Sequence, residues 1–213
     1  MRKHNFVAGN YYHIYIHGIS NIALFKNERD YIRFMNILFL ANRESTLPRM
    51  DRSSDLNLVW GVKNEKLQPI IKIVSFCLMP NHLHFILGEN RDGNISKYMH
   101  KMLVSYAKYF NKKYQRRGHL FESSFNSKLL SDNNYLLRAS AYIHQNPHSL
   151  KGHINREHKY TWSSFQDYVT ENRWGDLLSR DIILSQFKSE PSDSYLNFVK
   201  ESKNRESFMP QTS

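Results

Sequence analysis

The chain has 213 residues, 40% hydrophobic and 14% aromatic, with 30 Lys and Arg against 19 Asp and Glu and a formal charge of +11. That content excludes a wholly disordered chain, and at this length roughly 70% of the unfolded surface can be buried around a core. The single cysteine, Cys77, excludes an intramolecular disulfide and a cysteine-pair zinc site, while no run reaches the roughly 18 apolar residues of a membrane span. The opening Met1-Arg2-Lys3-His4-Asn5 lacks the apolar region of a signal peptide. A cytoplasmic protein with no membrane attachment and a polyanionic partner is expected.

Tyr11 to His17 mixes aromatic and β-branched residues and stops at Gly18, which predicts a first strand. Glu28 to Ala41 places Tyr31, Phe34, Met35 and Leu38 at i, i+3, i+4 and i+7, the stripe of a helix with one buried face. Asn42 to Gln68, with Pro48, Asp51, Ser53, Ser54 and Asp55, reads as an inserted loop whose apolar patch, Leu56 to Val62, could add a short strand. Ile70 to Met79, the turn Pro80-Asn81 and His82 to Leu87 predict a hairpin. Ile95 to Asn111 gathers Tyr98, Met99, Met102, Leu103, Tyr106, Tyr109 and Phe110 in one helical sector and Lys97, Lys101, Lys108 and Lys112 in another. A basic loop with Lys113, Arg116 and Arg117 follows, then Ser124 to Leu130 as a strand, then a helix that Asp132 can cap and Pro147 stops.

The order β-α-β-β-α-β-α suits an α+β, ferredoxin-like (βαββαβ) antiparallel sheet with helices on one face, plus a further helix. Residues 1–170 are expected to form one domain carrying the 42–68 insertion. A C-terminal helical extension over 171–205 should include the packing residues Asp181 to Phe187, with a frayed tail over 206–213.

His82-Leu83-His84 begins a strand, so both imidazoles project from one face, a geometry that can grip one divalent ion. In a chain with 11 His such a pair also arises by chance, and alone it carries little. Tyr142 and Asn146 are helix neighbours, and an Asn carbonyl can be a third, neutral ligand. A tyrosine hydroxyl, with a reference pKa of about 10, becomes a nucleophile only where a cation or base stabilises the phenolate. It can then attack a phosphodiester that a metal polarises and orients. Tyr135 shares that face about 10.5 Å away. Its i+4 residue is Ala139, which binds no metal, and this favours Tyr142; ordinary aromatic packing is the competing reading for both. Pro147 should bias Asn146 away from helical geometry and free its side chain. Cys77 is expected to be a buried hydrophobe, His144 to point elsewhere on the helix, and His119 to have a structural or solvent role.

The run Cys77-Leu78-Met79-Pro80-Asn81-His82-Leu83-His84-Phe85-Ile86-Leu87, then Arg116-Arg117-Gly118-His119-Leu120-Phe121, then Tyr142-Ile143-His144-Gln145-Asn146-Pro147, resembles the single-tyrosine HUH transposases. The REP-associated branch is the most similar, over roughly Tyr11 to Tyr168. The resemblance implies that His82 and His84 are the HUH metal ligands, Asn146 the third ligand and Tyr142 the nucleophile. It also implies Mg²⁺ or Mn²⁺ dependence and cleavage and rejoining of single-stranded or hairpin DNA at REP-like sites through a 5′-phosphotyrosine. A nucleoid-associated monomer or homodimer is expected, with Lys97, Lys101, Lys108, Lys112, Lys113, Arg116 and Arg117 against the DNA backbone. Three features depart from the pattern: the 42–68 insertion, Ser123-Ser124 in place of a small-basic pair, and His17 where Arg or Asn is common. Two rival readings are a domesticated, non-cleaving module that binds structured DNA or RNA, and a His-ligated metallohydrolase using activated water. The second leaves the Tyr142/Asn146 pairing unexplained.

Overall fold

The computed structural model describes residues 5–45, 68–122, 124–187 and 190–202. In chain order the strands and helices are β1 (Tyr11–His17), α1 (Glu28–Leu40), β2 (Ile71–Leu78), β3 (His82–Glu89), α2 (Asn94–Lys113), β4 (Asn126–Leu130) and α3 (Asn133–Gln145). Three further helices follow: α4 (Phe165–Val169), α5 (Asp181–Leu184) and α6 (Pro191–Ser202). The four strands form one sheet in the order β2-β3-β1-β4, antiparallel at every pairing. This is the ferredoxin-like βαββαβ arrangement expected from the element order, with β1 an inner strand between β3 and β4.

Alternation along β3 sends Leu83, Phe85 and Leu87 to one face of the sheet and His82, His84 and Ile86 to the other. Helices α1 and α2 cover the first face, where Phe34 lies 6.5 Å from Phe85 and meets Tyr106 edge-on at 4.9 Å. The two fully buried tyrosines of α2 leave no hydroxyl stranded, because Tyr98 donates to the Leu38 carbonyl and Tyr106 to that of Leu24. Helix α3 packs on the second face through Leu136, Ala139 and Ile143. Behind it α6 is tied in by Tyr195, which is fully buried.

The outer edge of β2 is closed by the segment before α4: Leu78 N–H donates to the Trp162 carbonyl at 2.9 Å and Ser164 N–H to that of Phe76 at 3.0 Å. Trp162 stacks on Tyr31 at 4.7 Å. The insertion is tied at its base, where the Asn42 amide exchanges two 3.0 Å bonds with the Ile71 main chain. Its patch Leu56 to Val62 and the tail over 206–213 lie outside the described residues. No helix among the described residues is long and apolar enough to cross a membrane.

Candidate active site

Pairing of β1 with β3 sets His17 opposite His82 and Tyr15 opposite His84, with His13 one step further on the same face. The expected pair, His82 and His84, thus becomes part of a four-histidine cluster. Ring centroids are 5.0 Å apart for His17 and His82, 5.0 Å for His82 and His84, and 5.3 Å for His13 and His84. Sequence reading missed His13 and Tyr15, although their signal was present: polar groups at 13, 15 and 17 alternate with Ile14 and Ile16.

The hydrogen bonds around these rings decide which nitrogens are available. Asn81 Nδ2 donates to Asn21 Oδ1, which turns Asn81 Oδ1 towards His82 Nδ1 at 2.7 Å. An amide oxygen only accepts, so the proton lies on His82 Nδ1 and Nε2 presents a lone pair. Asn146 Nδ2 donates to the Tyr142 carbonyl at 2.9 Å, leaving Asn146 Oδ1 3.4 Å from His82 Nε2. Two lone-pair atoms therefore face each other with no proton between them, an arrangement suited to a shared cation. His84 is also engaged at Nδ1, which lies 3.0 Å from His13 Nε2, a contact in which one of the two ring nitrogens donates to the other.

Burial lowers the pKa of His13, His82 and His84. His84 falls well below its ordinary 6.5, first by burial and then through His13, His82 and His17. His13 falls to about 4 by burial, with Lys128 adding to it. His82 is lowered by burial, opposed by its contact with Asn146 and helped by His17. The rings are neutral at pH 7, as a metal ligand must be. Among the described residues no three His, Cys, Asp or Glu side chains are grouped to hold a metal. The donor set here is two imidazoles and an amide oxygen, which fits a divalent cation and, through its nitrogens, Mn²⁺ better than the harder Mg²⁺.

Helix α3 starts where expected: Asp132 Oδ1 accepts from Tyr135 N–H at 2.8 Å. Tyr142 is half-buried, edge-on to His84 at 5.6 Å and to His13 at 5.8 Å. Burial, with Tyr15 nearby, raises its pKa, so the hydroxyl keeps its proton at rest. Tyr135 lies beneath the Lys128 ammonium, 5.0 Å from its ring. The expectation for Asn146 needs correction: at φ −49°, ψ −40° it is helical, and Pro147 opens a 3-10 turn over Asn146–Ser149 instead of breaking the chain into extended form. A proline in the first turn of a helical segment needs no N–H donor, so the turn absorbs it. Asn146 reaches His82 through its bond to Tyr142.

His144 points away from the site, with Nδ1 2.7 Å from the Tyr195 hydroxyl and Nε2 2.8 Å from Ser164 Oγ. Burial pushes it down to about 3. Cys77 sits opposite His84 in β2, fully buried, and burial pushes its thiol up. His119 is exposed and lines a cavity of about 310 Å³ with His100 and Leu120.

The lysine stripe lies on α2, across the sheet from the histidines, and is partly engaged within the chain. Lys97 pairs with Glu44; Lys101 donates to the carbonyls of Ala41, Arg43 and Ser45 at the end of α1; Lys113 pairs with buried Asp30 at 2.6 Å. Arg116 donates to Asn111 Oδ1 at 3.3 Å, whereas Lys108, Lys112 and Arg117 are exposed. Basic residues on the histidine face include Lys128, opposite His13, Lys72, opposite Gly88 with its ammonium over the Tyr11 ring, and Arg138, one turn before Tyr142.

A family model described as "Transposase IS200 like" matches residues 32–146. Among solved structures, a REP-associated tyrosine transposase bound to a REP hairpin has the same fold, with a TM-score of 0.57 at 12% identity over 85% of this chain and 92% of that one. No curated protein matches the sequence significantly.

Proposed function

The chain belongs to the IS200-like transposase family, and on that premise we propose that it cleaves and rejoins single-stranded DNA at hairpin-forming sites, with Tyr142 as nucleophile and His82, His84 and Asn146 as ligands of a divalent cation. The observation that carries this reading is the meeting of two elements on one face: α3 brings Tyr142 to within 5.6 Å of the His84 ring and Asn146 Oδ1 to 3.4 Å from His82 Nε2. The hairpin assignment draws on the structural neighbour, whose DNA is a REP hairpin.

Tyr142 Oη attacks the scissile phosphorus, a P–O bond to Tyr142 forms, the P–O3′ bond breaks, and the tyrosine proton ends on the departing 3′ oxygen. The 5′ phosphate is then esterified to Tyr142, and attack by a DNA 3′-hydroxyl reverses the sequence. A bound divalent ion would polarise the phosphate and offset its charge. The chain's own contribution is placement. Burial keeps Tyr142 neutral until the phosphate is seated, so the phenolate develops only in the transition state. Because all three ligands are uncharged, the full positive charge of the ion is left for the anionic substrate. The Asn146 bond to the Tyr142 carbonyl holds ligand and nucleophile in fixed relation.

The test is incubation with labelled single-stranded hairpin oligonucleotides and Mn²⁺, followed by a denaturing gel. A protein–DNA adduct that EDTA abolishes is expected. Adduct surviving excess EDTA removes the metal role, and hairpin binding with no adduct is the result a non-cleaving binder would give.

A further inference from the structure

Behind the histidine pair stands a set of residues that the proposed chemistry does not use. Each imidazole is gripped at Nδ1, His82 by Asn81 Oδ1 at 2.7 Å and His84 by His13 Nε2 at 3.0 Å. A neutral imidazole can place its proton on either nitrogen, and it binds a metal only through the one left bare.

Asn81 could rotate its amide and present NH₂ to the ring, which would force the wrong tautomer. Asn21 prevents this by accepting from Asn81 Nδ2. The two asparagines are themselves stitched together by the main chain. Gly18 N–H donates to the Asn81 carbonyl at 2.8 Å, Leu24 N–H to that of Pro80 at 2.7 Å, and Asn21 N–H to that of Gly18 at 3.1 Å. The turn is too tight for a side chain at its start, since a Cβ on Gly18 would meet the Ile22 carbonyl oxygen at 2.6 Å. Asn21 has φ 59°, in the left-handed region that asparagine tolerates better than most residues. On the other side, His13 is buried in the central strand, where its ring has little room to turn away from His84.

Resting on the reading of His82 and His84 as cation ligands, we infer that Asn81 and His13 are positioning residues. They hold the proton on Nδ1 of each ligand and aim both Nε2 atoms at one point, with Asn21 as the lock behind Asn81. Neither touches the substrate or the ion.

The test uses the full chain without DNA, reading Mn²⁺ affinity by the electron paramagnetic resonance of the free ion. The His82 tautomer is read by ¹⁵N–¹H imidazole correlation before metal is added. Asn81→Ala is expected to lower Mn²⁺ affinity by about 10- to 100-fold and to replace the pure Nδ1–H tautomer by a mixture. Asn81→Asp, which still accepts that proton, should stay within about three-fold of wild type, because second-sphere acceptors act through the bond they keep. His13→Leu and His13→Gln should behave as the corresponding loss and rescue at His84. Asn21→Ala leaves Asn81 in place but free to flip, so it should give a tautomer mixture even if Asn81→Ala is poorly folded. Unchanged affinity and tautomer in the Asn81 and His13 variants, with Mn²⁺ bound normally by wild type, would overturn this inference alone. Absence of Mn²⁺ binding by wild type would overturn the metal reading and the inference with it.

Discussion

Tyr142 and Tyr135 lie on one helix face, yet their surroundings differ in kind. Tyr142 meets two neutral imidazoles, whereas Tyr135 meets a lysine ammonium. Removing the Tyr142 hydroxyl alone, as Tyr142→Phe, should abolish the adduct with hairpin affinity nearly unchanged, because it takes away the atom that would be esterified and leaves the ring that packs. Tyr135→Phe should leave the adduct within about three-fold of wild type by the same criterion. Peptide mapping of the trapped complex by mass spectrometry checks both, and recovery of the nucleotide on Tyr135 would refute the assignment. Ser75 makes a different point. Its hydroxyl is buried on the histidine face and has no hydrogen-bond partner among the described residues. Ser75→Ala gives up no bond and relieves a desolvated oxygen, so urea unfolding should show no loss and a gain of up to about 1 kcal/mol.

Among the elements, α2 shows how a wheel of like charges can be misread. Lys101 spends its three donors on the Ala41 carbonyl at the C-cap of α1, a favourable place for a cation, and on those of Arg43 and Ser45 in the turn beyond it. Lys101→Met, which keeps the stem and removes the charge, should lower stability by about 1 kcal/mol and leave DNA affinity unchanged. Lys108→Ala or Arg117→Ala should do the opposite, weakening hairpin binding alike across sequences and reducing the salt slope by about one, with stability unaltered. Titrations at several salt concentrations separate the two classes. Periodicity was enough to bound β1 and α1 nearly to the residue, because each carries its own buried stripe. It could not pair Lys97 with Glu44 or Lys113 with Asp30, since those partners lie 53 and 83 residues away on segments whose approach depends on packing. His13 and Asn81 escaped for the same reason. The motif exposed the two histidines proposed as ligands, but the residues behind them follow from the register between β1 and β3 and from the closure of two turns, neither of which is written in a single strand.

At the scale of the whole molecule, buried histidines tie stability to acidity. His144 and His13 are held at about 3 and about 4, whereas in the unfolded chain they would titrate near 6.5. The unfolded state therefore takes up protons first as pH falls. The stabilisation is complete above pH 6.5 and drains away between there and the folded values, at up to about 1.4 kcal/mol per pH unit for each ring. Urea midpoints from pH 7.5 to 4.5 should fall accordingly. His144→Gln should lower the midpoint at pH 7.5 yet flatten the slope; a slope unchanged in that variant would show that the ring does not titrate as its burial requires.

The position of β1 in the sheet also orders events during synthesis. It precedes the other three strands of the sheet in the chain, and both of its neighbours come later. His13 waits 71 residues for His84, and His82 a further 64 for Asn146. Contacts of such separation form slowly, and only after the intervening chain is available. A nascent chain that has completed the β2–β3 hairpin but not α3 can present its paired imidazoles, while Tyr142, the proposed nucleophile, is still inside the ribosome or unfolded outside it. The bonds from His144 to Ser164 and Tyr195 form later still. On the proposed mechanism, strand breakage is thereby withheld from the unfinished protein, and a premature stop before α3 should yield a fragment that forms no adduct.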